Sequence, residues 1–249
     1  MAEIRGAFWA ARVIAPNWPG YASTTALGRP YTIKDIGHWL MTLFDHLEIE
    51  RASMIGVSMG GGASLWAALN HPERMEAIVP VGTYGVADRA RHHLLTYLLT
   101  KLPLNAVLYA VMRRYPSMLR RALEGIFANP EKLTDEIIAE VQDVLEAAGN
   151  GAPFSHFQRG EMTSAGLHTS FGSEFSRVSC PSLFIHGKED ALVPLATVEA
   201  AVHEMKNASL EVMDAGHWPM REDPDTFNEL ILAFLRDTGP QSERSGDAG

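Results

Sequence analysis

Three short stretches carry side chains that together could form a nucleophile, a base and an orienting acid. The first is SMIGVSMGGG, residues 53–62, in which one serine, Ser58, stands between Gly56 and Gly60. Gly56-Val57-Ser58-Met59-Gly60 fits the pattern G-x-S-x-G, which places a serine on a sharp turn between a strand and a helix. The demand is steric: such a turn brings the positions two before and two after the serine together, and side chains there would collide. A serine hydroxyl is a weak nucleophile near neutral pH and needs a base held by an acid. IHGKEDALVP, residues 185–194, offers Asp190, and DAGHWP, residues 214–219, offers His217. Each of these two stretches follows an apolar run that reads as a strand.

The elements that must position these residues alternate between strand-like and helical patterns, as in an α/β protein with a parallel sheet. Ala52–Val57, Ile78–Val81, Leu183–His186 and Leu210–Met213 read as strands, and the short run Arg12–Ala15 as a further one. Thr32 begins a helix with Asp35 three positions on, the pattern of a partial capping box. Ile36, Leu40, Leu43, Phe44 and Leu47 then fall on one face. Gly60–Leu69, Leu195–Met205 and Asp225–Thr238 supply three more helices. Loops leaving the C-terminal ends of parallel strands are where such sheets bind ligands.

Between residues 84 and 170 helical spacing replaces strands, with Pro103, Pro116, Pro130 and Pro153 as punctuation. This segment is expected to be a helical cap inserted into a core made of residues 1–83 and 171–238. The polar, glycine-rich tail, 239–249, is expected to be disordered. One part of the cap, LLTYLLTKLPLNAVLYAVMRRYP, is apolar and has Arg113, Arg114, Arg120 and Arg121 in or near it. The preferred reading is a lid packed on the core; the alternative is a lipid-facing surface.

Other residues are read as structural. His186 ends a strand and is expected to pack beneath its loop. Glu189 and Asp214 are rivals to Asp190 for the acid. His71, His92 and His93 lack partners at metal-ligand spacing and are placed on the surface or in the cap. Asn17 is expected to bond within its turn. The GGG run has no G-K-[ST] after it, which argues against a nucleotide site. Cys180, the only cysteine, cannot pair within the chain and is read as a buried, inert thiol.

The 249 residues are 46% hydrophobic and 20% charged, a globular composition, and 21 Lys+Arg against 30 Asp+Glu give a net charge of −9. No basic face for nucleic acid is indicated. No signal peptide or spanning segment is seen, so the default localisation is cytoplasmic. Neither a cofactor nor a metal is called for, membrane association is not expected, and a homodimer is compatible with the sequence.

Taken in order, GVSMGGG, HGKEDALVP and AGHWPMREDP resemble the nucleophile elbow, acid loop and histidine loop of the α/β-hydrolase fold superfamily, in its capped, esterase-like group. RVIAPNWPGYAST resembles the segment ending the family's fourth strand. The resemblance runs from about Arg12 to Leu235. It implies a catalytic triad of Ser58, Asp190 and His217, with the Met59 N–H in the oxyanion hole, acting on an ester or similar small apolar acyl substrate. Relatives on this fold also cleave C–C bonds, thioesters and lactones, or carry out cofactor-free perhydrolysis. The family's first three strands and its His-Gly donor loop have no match here, and Phe8–Ala11 looks like the end of its first helix. Two readings follow: a serine hydrolase whose sequence is shortened at its start, or a degenerate, non-catalytic binding protein. In either case the lost third strand is expected to leave a slot at the centre of the sheet, unless Arg12–Ala15 closes onto Ala52–Val57.

Overall fold

The computed structural model describes residues 12–21, 24–25, 27–102, 104–147 and 152–239. The expected tail beyond Gly239 and the stretch Phe8–Ala11 lie outside them. Four strands, β1 (Ala52–Val57), β2 (Met75–Val81), β3 (Ser182–Gly187) and β4 (Ala208–Met213), form one parallel sheet in the order β1-β2-β3-β4. The two central strands are almost wholly buried, as a parallel sheet covered on both faces requires, whereas β1 and β4 are partly open. β2 begins three residues before the expected Ile78, because Met75 and Ala77 are also buried.

Helix α1 (Ile33–His46) begins where Thr32 and Asp35 meet: the Thr32 N–H and hydroxyl both donate to Asp35 Oδ2. Its buried face, Ile33, Ile36, Leu40, Met41 and Phe44, packs with α2 (Met59–Asn70) and α8 (Leu195–Glu204) into the main core. Each such side chain contributes about 1.5–3 kcal/mol by leaving water. On the other side of the sheet, Val79, Val81, Leu183, Ile185 and Met213 meet Phe227 and Ile231 of α10 (Pro224–Thr238). The result is a three-layer α/β/α arrangement. Cys180 is buried and unpaired, and burial pushes its thiol pKa up, which keeps it unreactive.

Arg12–Ala15 does not form the expected strand. It is exposed coil, with Val13 53% and Ile14 39% accessible. The expected central slot does not arise either, because the sheet simply ends at β1, whose outer edge has no partner strand among the described residues. β-type residues hold a strand only when a neighbouring edge satisfies their backbone groups, and Arg12–Ala15 meets none. Asn17 is exposed and makes no hydrogen bond with another described residue; Thr24 holds that turn, its hydroxyl donating to the Trp18 and Tyr21 carbonyls.

The segment between β2 and β3 is helical, as expected: α3 (His93–Lys101), α4 (Leu104–Arg114), α5 (Pro116–Glu124), α6 (Asp135–Ala147) and α7 (Ala152–Glu161). It has a small core of its own, built from Met112, Leu119, Leu123, Phe127, Leu133, Ile137 and Ile138. Glu161 ties its end to the rest of the protein. This buried carboxylate accepts from the Ile33 N–H at the start of α1, from the Thr169 N–H and hydroxyl, and from Tyr84. α3 departs from the expectation of a lid helix packed by its leucines. It buries His93, whose Nε2 bonds the Thr163 carbonyl, and Thr100, while Leu94, Leu95, Leu98 and Leu99 face outward. His93 is thus buried within the helical insertion.

Candidate active site

Ser58 occupies the junction between β1 and α2 with φ 51° and ψ −108°, a left-handed conformation that a non-glycine residue adopts only under constraint. The constraint comes from close packing. A Cβ on Gly56 would lie 2.2 Å from the carbonyl carbon and oxygen of Gly60, so the turn closes only around glycine. Ser58 N donates to the Val81 carbonyl (2.8 Å), and the Ser58 carbonyl accepts from Gly62 N and Tyr84 N (both 3.0 Å). The serine is thus fixed to the C-terminal end of β2 as well as to its own helix. Met59 is the first residue of α2, so its N–H belongs to the donors that helix geometry leaves without an intrahelical acceptor, at the positive end of the helix dipole.

The loops after β3 and β4 bring Asp190 and His217 together. His217 Nδ1 lies 2.8 Å from Asp190 Oδ2, and both side chains are almost completely buried. A carboxylate only accepts, so Nδ1 carries the proton and Nε2 is the nitrogen with a free lone pair. The other oxygen, Oδ1, accepts from the N–H groups of Leu192 (2.8 Å) and Val193 (3.0 Å). Burial alone would raise the pKa of Asp190, but the His217 hydrogen bond and charge, with the Val193 and Leu192 N–H groups, outweigh it and hold the carboxyl below its ordinary value. The acid is therefore ionised near neutral pH. The two rivals, Glu189 and Asp214, are exposed, and it is Asp190 that bonds His217.

His186 lies beneath the acid loop, as expected. Its Nε2 donates to the Val193 carbonyl at 3.0 Å and sits 3.7 Å from Asp190 Oδ2. Its Nδ1 is buried without a partner. Burial pushes its pKa down, against the pull of Asp190, which keeps the ring neutral. The loop is thus bonded at both ends of Val193, its carbonyl to His186 and its N–H to Asp190.

Ser58 and His217 belong to one end of the sheet without being hydrogen-bonded to each other. They are joined through the segment after β2. Val81 accepts from Ser58 N, and a Cβ on the next residue, Gly82, would lie 3.1 Å from His217 Nδ1. A depression of about 430 Å³ lined by Phe44, Glu48, Ile49 and Arg74 lies toward the opposite, N-terminal end of β1 and has no part in this site. Among the described residues, no group of three His, Cys, Asp or Glu converges as a metal site would require.

A further residue, Glu222, lies within the stretch AGHWPMREDP but is not singled out by that motif. It is buried in α9 (Pro219–Glu222) and accepts from the N–H groups of Gly216 (2.6 Å), Asn129 (3.0 Å) and Ala128 (3.2 Å). His217 N in turn donates to the Ile126 carbonyl at 2.7 Å. Glu222 therefore clamps the backbone beside His217 to residues 126–129, which link α5 to the rest of the helical insertion. Trp218 completes the junction by packing edge-on against Phe127.

A parallel sheet, a strained serine between its strand and helix, and a buried Asp–His pair on the next two loops define a hydrolase of the α/β type. The chain belongs to the alpha/beta hydrolase fold family, whose model matches residues 7–224. It is 30% identical to a 2-hydroxymuconate semialdehyde hydrolase of Pseudomonas sp. (strain CF600), covering 90% of this chain and 76% of that protein. It is 28% identical to a putative carbamate hydrolase RutD of Caulobacter sp. (strain K31), over 92% of this chain and 86% of that one. Among solved structures it resembles the meta-cleavage product hydrolase CumD of Pseudomonas fluorescens IP01, with a TM-score of 0.75 and 25% identity over 94% of this chain and 83% of that chain. A thermophilic esterase from Thermogutta terrifontis shares the fold, with a TM-score of 0.77 and 20% identity over 96% of this chain and 85% of that chain. The relatives are hydrolases, and the chain is an enzyme of that family. Among the described residues, no helix is long and apolar enough to cross a membrane.

Proposed function

We propose that the protein is a serine hydrolase that cleaves a carboxylic ester or similar small acyl substrate through an acyl-enzyme. The observation that carries this reading is the buried Asp190–His217 pair on the same sheet end as the strained elbow of Ser58. Ser58 Oγ attacks the acyl carbon while His217 Nε2 takes its proton and then delivers it to the leaving alcohol. Asp190 holds the imidazole in the tautomer this requires and stabilises the imidazolium. The Met59 N–H donates to the developing oxyanion, a contribution of about 3–4 kcal/mol where such donors have been removed in other enzymes. Water, activated by the same histidine, releases the acid. No step requires a metal or an organic cofactor.

The test is Ser58→Ala, assayed on short p-nitrophenyl esters beside labelling of the wild type by a fluorophosphonate probe. Loss of turnover together with loss of labelling is expected. Unchanged turnover in the variant overturns the assignment of the nucleophile.

A second reading draws on the relatives named as 2-hydroxymuconate semialdehyde and 2-hydroxy-6-oxononadienedioate hydrolases. On this reading the same serine and histidine act on a C–C bond next to a ketone. Parallel assays separate the two: loss of the absorbance of a 2-hydroxy-6-oxo-dienoate at a rate well above ester turnover favours C–C cleavage.

A further inference from the structure

The first helix of the insertion is turned inside out. Along α3, Leu94, Leu95, Leu98 and Leu99 are 67%, 59%, 56% and 40% accessible, and Leu102, just past its end, is 48% accessible. The buried side of the same helix carries the polar residues His93 and Thr100, held by bonds to the carbonyls of Thr163 and Tyr97. The helices that follow also expose apolar side chains, Val107 and Leu108 on α4, 57% and 49% accessible, and then Tyr115 and Met118. Scattered exposed leucines are ordinary, but a helix that keeps its polar side inward and its leucine side in water is not.

The sequence of this part of the insertion is opposite in charge to the protein as a whole, with Glu124 at the end of α5 and Glu146 beside Arg113 and Arg114 as the nearby acids. Residues 84–123 contain seven Arg or Lys against one Asp, on a chain whose net charge is −9. Arg91 precedes α3, Lys101 closes it next to the leucine stripe, and Arg114 and Arg121 follow on α4 and α5. Among the described residues none of these four is paired with a carboxylate; Lys101 lies over the ring of Tyr97 and donates to the Arg159 carbonyl on α7, and Arg114 lies over the ring of Tyr115. We infer that the outer face of α3, extended by α4 and α5, is a docking surface for anionic lipid bilayers. The leucines enter the interface between headgroups and acyl chains, and the cations meet the lipid charge, the combination by which interfacial helices bind without spanning. A second copy of the chain fits this face less well, because a two-fold contact would bring Arg91, Lys101, Arg114 and Arg121 onto a patch carrying the same four cations.

The experiment is co-sedimentation of the full chain with vesicles of phosphatidylcholine alone and of equimolar phosphatidylglycerol and phosphatidylcholine. Binding is expected to the second and to be about tenfold or more weaker to the first, and to be released at high salt, since the charges are surface-exposed. Leu94→Gln with Leu98→Gln, and separately Arg91→Gln with Lys101→Gln, are each expected to lower the partitioning by about tenfold or more with unchanged thermal unfolding. Equal binding to both vesicle types, or binding to neither, overturns the inference, and both outcomes are read on the unmodified chain. A concentration-dependent dimer that the leucine variant dissolves, without vesicle binding, also overturns it and assigns the face to self-association.

Discussion

Asp190 divides its two oxygens between two tasks: Oδ2 faces His217 Nδ1 at 2.8 Å, while Oδ1 is held by the N–H groups of Leu192 and Val193. The carboxylate therefore cannot rotate away from the histidine without abandoning two backbone bonds. Asp190→Asn keeps the size and most of the packing, but its amide nitrogen would face either the histidine or the loop N–H groups. In the first case the imidazole is driven to the wrong tautomer, and Nε2 no longer accepts the serine proton. The expected outcome is a fall in kcat of about 10⁴ with KM changed little, read on a soluble p-nitrophenyl ester. A variant within tenfold of wild type would remove Asp190 from the proposed triad.

His186 gives the protein an acid-sensitive point distinct from catalysis. Its folded pKa lies below the ordinary value near 6.5, chiefly because it is buried. A base with a depressed pKa binds fewer protons in the folded than in the unfolded state, so its contribution to stability is complete above the unfolded value. That contribution declines as pH falls from there toward the folded value. Protonation would also place a second donor, on Nδ1, where no acceptor is available. The melting temperature is expected to fall between about pH 7 and about pH 5, and His186→Gln, which does not titrate, to flatten that slope. Asp190, whose pKa is also lowered, adds a second decline only below the ordinary carboxylate value of 3.8. An equally steep slope in His186→Gln would assign the acid sensitivity to other groups.

The elbow provides a steric test. Gly56→Ala places a methyl group 2.2 Å from Gly60 backbone atoms, and rigid backbone cannot yield as a side chain could. The expected loss is about 1–3 kcal/mol of stability together with hydrolysis, seen as a lower melting temperature and a silent ester assay. Gly125→Ala is the control: its φ is −72° and its nearest new contact is an ordinary 3.5 Å, so it should be neutral or slightly stabilising. Equal behaviour of the two variants would contradict the close-packed turn.

The order of the site along the chain was readable because each part of it is local. The glycines around Ser58 answer to a turn a few residues long, and Asp190 and His217 each follow an apolar run that reads as a strand, buried in β3 and partly open in β4. Arg12–Ala15 was not readable in the same way, since a run of β-type residues becomes a strand only beside an unsatisfied edge, and that depends on distant chain. The direction of α3 was hidden for another reason. Helical periodicity divides a helix into two faces, but the choice between them goes with bonds to distant chain: His93 to the Thr163 carbonyl, and the Thr100 carbonyl to Arg159. Glu222 left no signal beyond a carboxylate five residues after His217, because its partners, Ala128 and Asn129, lie more than 90 residues away.

That same Glu222 supports the last prediction, which concerns how the insertion and the base are held in register. Three N–H donors converge on its carboxylate, one from Gly216 beside the histidine and two from residues 128–129 of the insertion. The approach is tight enough that a Cβ on Gly216 would lie 2.3 Å from the Ile126 carbonyl. Glu222→Gln is nearly isosteric but substitutes an amide group for one accepting oxygen, so at least one buried N–H loses its acceptor, at a cost of about 1–3 kcal/mol. The expected outcome is a lower melting temperature and, at temperatures where the variant is fully folded, a reduced kcat with a raised KM. The kcat term follows from freeing the His217 backbone, and the KM term from loosening residues 126–129. A purely structural role would lower stability while leaving both kinetic constants of the folded fraction at wild-type values, and steady-state kinetics at low temperature distinguish the two.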